Sequence, residues 1–433
     1  MENLLDKIKN KTAKVSIIGL GYVGLPLSIE FCKSGFTVIG IDVDKGKIDA
    51  LKKGESYVQD VKKEDVLTFI ENGKFIPTTD FNILKDVDTV SICVPTPLRK
   101  TRDPDISYIV SATSEIKKYL HKGQLIVLES TTYPGTTDEV LLSDLESTGL
   151  KVGVDFYLAF SPERVDPGNK KYNTKNTPKI IGGVTTECTK IAKYLYEQSI
   201  DSVIPVSSTK SAEMVKLLEN TFRAVNIGLV NEITLMCNKL GIDVWEIIDA
   251  AASKPFGFMP FYPGPGLGGH CIPIDPLYLS WKLKTLNYTA RFIELASEIN
   301  TGMPLYVVSK IVDALNDKRK SVNGAKVLIL GVTYKRDVSD VRESPAIDII
   351  KYLKNKGADV SFCDPYVDSM HEVEGVKKME LREDSLSQAD CVVIVTDHSN
   401  IDYKWVVKNS KLVVDTRNTT KGIKEGREKI VKL

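Results

Sequence analysis

The chain has 433 residues, of which 42% are apolar and 27% charged, the balance of an ordinary globular protein. That length exceeds what one hydrophobic core serves, so two or three domains are expected. Lys and Arg total 58 against 57 Asp and Glu, a net charge of +1. A nucleic-acid or anionic-membrane surface needs a basic excess, so neither is expected as a partner.

Lys7, Lys9, Lys11 and Lys14 precede an apolar run from Val15 to Ile29 that has the outline of a leader peptide. Gly19, Gly21, Gly24 and Pro26 interrupt it and no small-residue cleavage pattern follows, so it reads as folded chain. No apolar stretch is long enough to span a bilayer. Lys14 to Ile18 predicts a strand, Gly19-Leu20-Gly21-Tyr22-Val23-Gly24 a glycine turn, Leu25 to Ser34 a helix, and Thr37 to Ile41 a second strand ending at Asp42. Glycines at those spacings permit a tight turn and close approach of a pyrophosphate to the helix N-terminus, and the acid accepts ribose hydroxyls. The candidate cofactor residues are therefore Gly19, Gly21, Tyr22, Val23, Gly24 and Asp42. Asp42 disfavours a 2′-phosphate and points to NAD over NADP, with Lys45 and Lys47 as the counterweight.

Three further apolar runs end in polar or proline-bearing turns: Thr89 to Val94 into Pro95-Thr96-Pro97, Gln124 to Leu128 into Glu129-Ser130-Thr131, and Tyr157 to Phe160 into Ser161-Pro162-Glu163-Arg164. In a doubly wound parallel sheet such turns gather at the carboxyl ends of the strands, where ligands bind. Taken singly, each is also ordinary loop chemistry.

From Thr209 to Leu240 there is no proline and one glycine, Gly228, and apolar residues recur at helical spacing. One long helix is predicted there. Lys216 and Asn220 lie four apart on one face. They are either a surface pair or a cation and an amide aimed at an oxyanion. A second helical region is predicted over roughly Tyr278 to Asn316. Long helices between two α/β lobes usually bury apolar stripes against a partner, and a homodimer is expected.

Between these helices lies Gly264-Pro265-Gly266-Leu267-Gly268-Gly269-His270-Cys271-Ile272-Pro273-Ile274-Asp275-Pro276. The other cysteines, 32, 93, 188, 237, 363 and 391, are scattered, mostly in apolar runs, with no C-x-x-C spacing. A reducing, cytoplasmic setting fits, and the four histidines are too dispersed to suggest a metal site. Cys271 alone sits in a Gly/Pro loop, where glycine lets a ligand approach the backbone and a thiolate is a strong nucleophile.

Lys326 to Gly331 repeats the strand-to-glycine opening, but Gly331-Val332-Thr333-Tyr334-Lys335 lacks the second and third glycines. A helix over Pro345 to Lys356 and strands over Asp359 to Cys363, Cys391 to Thr396 and Lys411 to Asp415 complete a second lobe. It should bind a nucleotide without gripping a dinucleotide pyrophosphate the same way. Lys335, Arg336 and Arg342 share one loop that suits a diphosphate, or is simply a solvated charged loop.

The fold class expected is α/β: two Rossmann-like lobes with parallel sheets joined by a long helical connector. The divisions are 1–206 for the NAD-binding domain, 207–316 for the central helical domain with the cysteine loop, and 317–433 for the second lobe. Along nearly its whole length the chain resembles the UDP-glucose/UDP-N-acetylmannosamine dehydrogenase family. The resemblance rests on Gly19-Leu20-Gly21-Tyr22-Val23-Gly24-Leu25-Pro26, Val94-Pro95-Thr96-Pro97, Glu129-Ser130-Thr131, Ser161-Pro162-Glu163-Arg164, Lys216-x-x-x-Asn220 and Gly268-Gly269-His270-Cys271. Gly331-Val332-Thr333-Tyr334-Lys335 and Asp340-Val341-Arg342-Glu343-Ser344-Pro345 extend it into the last third.

The resemblance implies an NAD-dependent, two-fold oxidation of a nucleotide sugar's C6 alcohol to a carboxylate. By it, Cys271 is the nucleophile, Lys216 and Asn220 stabilise the oxyanion, and Asp275 with Thr131 holds the water or acts as base. Glu163 positions that water. Pro95, Thr96, Ser130 and Thr131 join the cofactor set. Glu163, Arg164, Lys216, Asn220, Tyr262, Gly266, Lys335 and Arg342 form the substrate set, the last two on the UDP part. No metal is implied.

UDP-glucose members of the family carry a lysine before the aspartate and a second glutamate four residues after the one matching Glu163. Here those positions are Ile274 and Pro167, which argues against UDP-glucose. The run Lys254-Pro255-Phe256-Gly257-Phe258 is similar to the UDP-N-acetylglucosamine 6-dehydrogenase branch. UDP-N-acetylmannosamine and UDP-N-acetylgalactosamine stay open. A two-electron hydroxyacid-type dehydrogenase would need no cysteine and would yield one NADH per substrate. A nucleotide-sugar sensor would yield none.

Overall fold

The computed structural model describes residues 3–58, 60–99, 103–166, 168–169 and 171–433. Two compact units emerge: Met1–Glu219 with Trp281–Tyr288, and Asn220–Ser280 with Thr289–Leu433. The helix Thr209–Leu240 contributes residues to both.

The first unit is built on eight strands: β1 (Lys14–Ile18), β2 (Thr37–Ile41), β3 (Phe75–Thr78), β4 (Thr89–Ile92), β5 (Leu125–Leu128), β6 (Tyr157–Phe160), β7 (Lys179–Gly183) and β8 (Val203–Pro205). Their order is β3-β2-β1-β4-β5-β6-β7-β8. Neighbours run parallel except β6 and β7, which are antiparallel. Strands β4 and β5 are buried at every position, as strands covered on both faces must be. Val15, Ile17, Phe31 and Phe36 belong to one core cluster, Ile92, Leu128 and Phe160 to another. Burying one such side chain contributes about 1.5–3 kcal/mol.

Strands β3, β7 and β8 go beyond the sequence expectation. β3 and β8 are the sheet's edges, and each contains a proline, Pro77 and Pro205, that only an edge strand accommodates readily. β7 opens on a charged lysine, which masks its apolar character in the sequence.

The second unit carries β9 (Lys326–Leu330), β10 (Asp359–Cys363), β11 (Lys377–Lys378), β12 (Cys391–Ile394), β13 (Val413–Asp415) and β14 (Ile430–Lys432). These form an all-parallel sheet ordered β11-β10-β9-β12-β13-β14. The helix Pro345–Asn355 starts as its sequence dictates, with Pro345 in the first turn and the Ser344 hydroxyl accepting from the Ala346 N–H. The helical region expected over Tyr278 to Asn316 is two helices, Asp275–Lys284 and Arg291–Asp317. A turn separates them in which Asn287 adopts φ 56°, a left-handed geometry that ends a helix and that asparagine tolerates. Among the described residues no helix is long and apolar enough to cross a membrane.

Candidate functional site

In the first unit β1, β2, β4, β5 and β6 are parallel, so the loops after them share one edge of the sheet. Gly19 has φ +92°, and a Cβ there would lie 2.4 Å from the Cys93 carbonyl oxygen, so the glycine turn is pressed against the end of β4. Around a Cβ at Gly21 nothing lies within 4 Å, which leaves an open approach to the backbone. Asp42 is buried, and its Oδ2 accepts the Leu20 N–H at 2.9 Å while Oδ1 accepts that of Asp44, also at 2.9 Å. Lys47 Nζ stands 3.4 Å from Asp42, so the lysine set against NAD in the sequence is paired with the acid itself. Tyr22 is exposed and Val23 half-buried in the turn. An open glycine turn before a helix, beside an acid held by the same turn, fits a dinucleotide.

After β4, Thr96 is buried and Pro95 exposed. The Ser130 hydroxyl donates to the Val94 carbonyl at 2.8 Å and ties the loop after β5 to the loop after β4. Further along, the Gly135 N–H at 2.5 Å and the Thr137 N–H at 2.9 Å donate to the Glu213 carboxylate on the long helix, fixing the segment that follows Thr131. Burial pushes the Glu213 carboxyl up to about 7.

Glu163 lies just past β6. Its Oε1 accepts the N–H groups of Arg164 at 2.7 Å and Val165 at 2.8 Å, and Lys179 Nζ is 3.5 Å from its Oε2. Burial works to raise its pKa, but Lys179, the Val165 N–H, Lys216 and the Arg164 N–H together hold it below the usual carboxylate range. Beneath it, Lys179 Nζ donates to Glu129 Oε2 at 2.6 Å, and the Tyr196 hydroxyl donates to Glu129 Oε1. Burial pushes Glu129 up. Arg164, expected to face substrate, forks onto Glu219 at 2.6 and 3.2 Å and reaches the Pro178 carbonyl at 2.6 Å. Lys216 is buried. Pro167 lies outside the described residues.

In the second unit Cys271 is exposed while the six other cysteines of the chain are buried. Burial pushes the thiols of Cys32 and Cys391 up to about 12 and that of Cys363 to about 11, far from thiolate formation at neutral pH. The Cys271 carbonyl accepts the Asp275 N–H at 2.8 Å, closing the turn that starts the helix Asp275–Lys284. Asp275 is buried, and its Oδ2 accepts from Asn220 Nδ2 at 2.6 Å, so these two candidates do meet.

The cysteine loop is braced along its length. The Gly264 N–H donates to Asn231 Oδ1 at 3.0 Å, and the Gly269 N–H to the Arg342 carbonyl at 3.1 Å. Gly266 has φ +137° against Pro345, and a Cβ at Gly269 would meet the Tyr334 ring at 2.7 Å. The loop expected to hold UDP thus packs directly on the loop of Cys271.

Within that loop Lys335 is half-buried. The Arg342 guanidinium forks onto Asp340, with Nη2 at 2.6 Å, and Arg336 pairs with Asp397. Tyr262 donates to Asp249 at 3.0 Å and stacks on Trp245. Asp364 follows β10 as Asp42 follows β2, and accepts the Val332 N–H at 2.7 Å. Its Oδ1 also takes the Tyr366 N–H, and His398 Nε2 lies 3.0 Å from Oδ2. Fully buried, it is closed to a ribose.

Lys179, Glu129, Tyr196, Glu213 and Asn231 are the polar groups that sequence reasoning missed here. Glu129 stood inside a quoted motif, and Lys179 opens an apolar run where a charge is out of place. Nothing in the sequence marked the other three.

Three segments match the UDP-glucose/GDP-mannose dehydrogenase family: its NAD binding domain over residues 13–200, its central domain over 210–302 and its UDP binding domain over 328–422. The UDP-N-acetyl-D-glucosamine 6-dehydrogenase of Pseudomonas aeruginosa is 38% identical, covering 84% of this chain and 86% of that protein. The UDP-N-acetyl-D-mannosamine dehydrogenase of Methanococcus maripaludis is 35% identical, covering 94% and 92%. The solved structure of the UDP-D-ManNAc dehydrogenase from Pyrococcus horikoshii superposes with a TM-score of 0.87 at 34% identity, covering 97% of this chain and 98% of that one. Matched in its NAD binding, central and UDP binding domains, the chain belongs to the UDP-glucose/GDP-mannose dehydrogenase family, the NAD-dependent dehydrogenases of nucleotide sugars.

Proposed function

We propose that the chain oxidises the C6 alcohol of a UDP-N-acetylhexosamine, with UDP-N-acetylglucosamine as the substrate of choice, to the uronic acid. The observation that carries this reading is Cys271, the exposed cysteine, on a glycine loop packed against the loop of Lys335 and Arg342. NAD+ supplies a hydride acceptor for each of two oxidations. Gly19, Gly21, Tyr22, Val23, Gly24, Asp42, Pro95, Thr96, Ser130 and Thr131 would hold it.

After the first oxidation, Cys271 sulfur bonds to C6 of the aldehyde and gives a thiohemiacetal. Lys216 and Asn220, one helical turn apart, stabilise the oxyanion, and Asp275 fixes the orientation of the Asn220 amide. Loss of the second hydride and of the hydroxyl proton leaves a thioester. Water then bonds to C6, the C–S bond breaks, sulfur leaves as thiolate, and Asp275 with Thr131 takes the water's proton while Glu163 aims it. Lys335 and Arg342 bind the diphosphate, with Arg342 exchanging Asp340 for it. Tyr262, Gly266 and Arg164 complete the substrate surround, Arg164 through its hold on Glu219.

Choice of the glucosamine sugar rests on the Lys254–Phe258 run, and Ile274 before Asp275 argues against UDP-glucose. The mannosamine sugar is the second reading, favoured by relatives of that name at 35% identity that cover 94% of the chain. The test is NADH counted against limiting UDP-N-acetylglucosamine with excess NAD+. Two NADH per sugar are expected. None with this sugar, but two with the mannosamine sugar, overturns the substrate while keeping the chemistry; one per sugar overturns the four-electron reaction.

The division into 1–206, 207–316 and 317–433 follows the three roles of cofactor binding, chemistry and UDP binding. Six buried thiols suit a reducing cytoplasm. Phe222, Leu229, Met236, Phe292 and Leu295 are exposed on the two long helices, and a second copy of this chain would cover them as a homodimer. Sedimentation should give twice the 48.0 kDa chain mass, and Phe222→Glu should lower it; a monomer in the unmodified protein overturns the dimer.

A further inference from the structure

The first unit's sheet breaks its parallel order once, at β7, and the break delivers a charge. Phe160 at the end of β6 pairs with Gly182 in antiparallel register, so the N-terminus of β7 extends past the carboxyl end of β6. A parallel β7 would send that terminus to the opposite edge of the sheet. The first residue of β7 is Lys179, whose side chain is 5% exposed and lies between two carboxylates, Glu129 at 2.6 Å and Glu163 at 3.5 Å.

We propose that Lys179 is a positioning residue of the hydrolytic half-reaction, fixing the orientation and charge state of the Glu163 carboxylate, with Glu129 as the second carboxyl that holds its ammonium in place. This rests on the reading of Glu163 as the group that aims the attacking water. An anionic Glu163 accepts the water's hydrogen, whereas a protonated one offers an O–H instead and misdirects it. Two backbone N–H groups hold Oε1, and Lys179 is the cation at Oε2.

The groups facing this cluster are Glu129, Glu163, Lys216, Cys93 and Tyr196. Burial works against charge on Lys179, but the two glutamates hold its pKa above the ordinary lysine value, so it stays a cation. Of the two acids, burial pushes Glu129 up, while Glu163 is held down. The Tyr196 hydroxyl on Glu129, itself 3.1 Å from Ser91 Oγ, anchors the far side of the cluster. Glu129 shares the cation with Glu163, but burial pushes it up while Glu163 is held down, so Glu129 is already protonated where Glu163 titrates.

The experiment is single-turnover uronate release from the acyl-enzyme, followed by rapid quench across the acidic range. Lys179→Met removes the cation, so the acidic limb should move up by roughly one pH unit and release should slow about 10-fold along that limb. Lys179→Arg should restore both. Lys179→Met leaves a buried carboxylate without its partner and can fail to fold. Glu129→Gln keeps the Lys179–Glu163 pair and matches the protonated Glu129, so its acidic limb should stay in place. An unmoved limb in folded Lys179→Met overturns the proposal, as does a limb in folded Glu129→Gln that moves up by roughly one pH unit or more. Glu163→Gln separates the two readings. If it releases uronate at the normal rate, the role of Glu163 falls and that of Lys179 with it. If it is slow while folded Lys179→Met leaves the limb in place, only the role of Lys179 falls.

Discussion

Replacing Cys271 by alanine should cut uronate formation on the order of a thousandfold or more and lower the NADH yield from two per sugar to at most one. The first oxidation takes a hydride from C6 before any sulfur–carbon bond exists, so it survives the change in principle. The second needs a tetrahedral carbon with a hydride to give, and in the proposed route the thiohemiacetal on Cys271 supplies it. Without sulfur the aldehyde has no covalent tether and leaves or stalls. Since Cys271 is exposed, trimming its side chain should change stability by no more than about 0.5 kcal/mol, so lost activity would not reflect lost fold. The thiols of Cys32, Cys363 and Cys391, pushed up by burial, offer no substitute. Two NADH per sugar at the normal rate in Cys271→Ala would falsify the covalent route.

How much of this was legible in the sequence depended on whether a residue's role is local. The glycine turn, Asp42 and the strands β1 and β2 were readable because turn, helix and acid lie within thirty consecutive residues and each obeys a short-range rule. Asn220 and Asp275, by contrast, are 55 positions apart. Their residue types suggested chemistry, but only the fold shows that they hydrogen-bond. Lys179 was hidden for a related reason. A charge at a strand's start looks like a solvated end, and only the antiparallel pairing of β7 with β6 turns it into a buried cation. Arg164 and Tyr262 show the same limit. Each was named as a substrate residue, and the neighbour each hydrogen-bonds, Glu219 and Asp249, is one that no local pattern specifies. The edge strands β3 and β8 escaped because proline lowers strand propensity everywhere except at an edge, and edges are a property of the assembled sheet.

Gly24→Ala should abolish useful NAD binding, raising the KM for NAD by about 100-fold or more, and should also destabilise the first unit by about 1–3 kcal/mol. A Cβ at Gly24 would lie 1.9 Å from the Gly19 carbonyl oxygen and 3.0 Å from Ile17 Cγ2. The near atom is backbone, so no rotamer change relieves it. Gly19 cannot yield, because it already packs against the Cys93 carbonyl. Leu20 is held from both sides, its N–H by Asp42 and its carbonyl by the Tyr57 hydroxyl at 2.7 Å. What can move is the helix Gly24–Lys33, and its N-terminus is the part that would meet the pyrophosphate. Gly21→Ala is the control. A Cβ there meets nothing within 4 Å of the protein, so urea unfolding should be nearly unchanged while NAD binding weakens from the added methyl in the approach path. Calorimetric titration with NAD and urea melts on both variants separate the two effects. Normal NAD affinity in Gly24→Ala would move the cofactor away from this turn, whereas lost affinity with intact stability in Gly21→Ala would locate the pyrophosphate against that residue's open face.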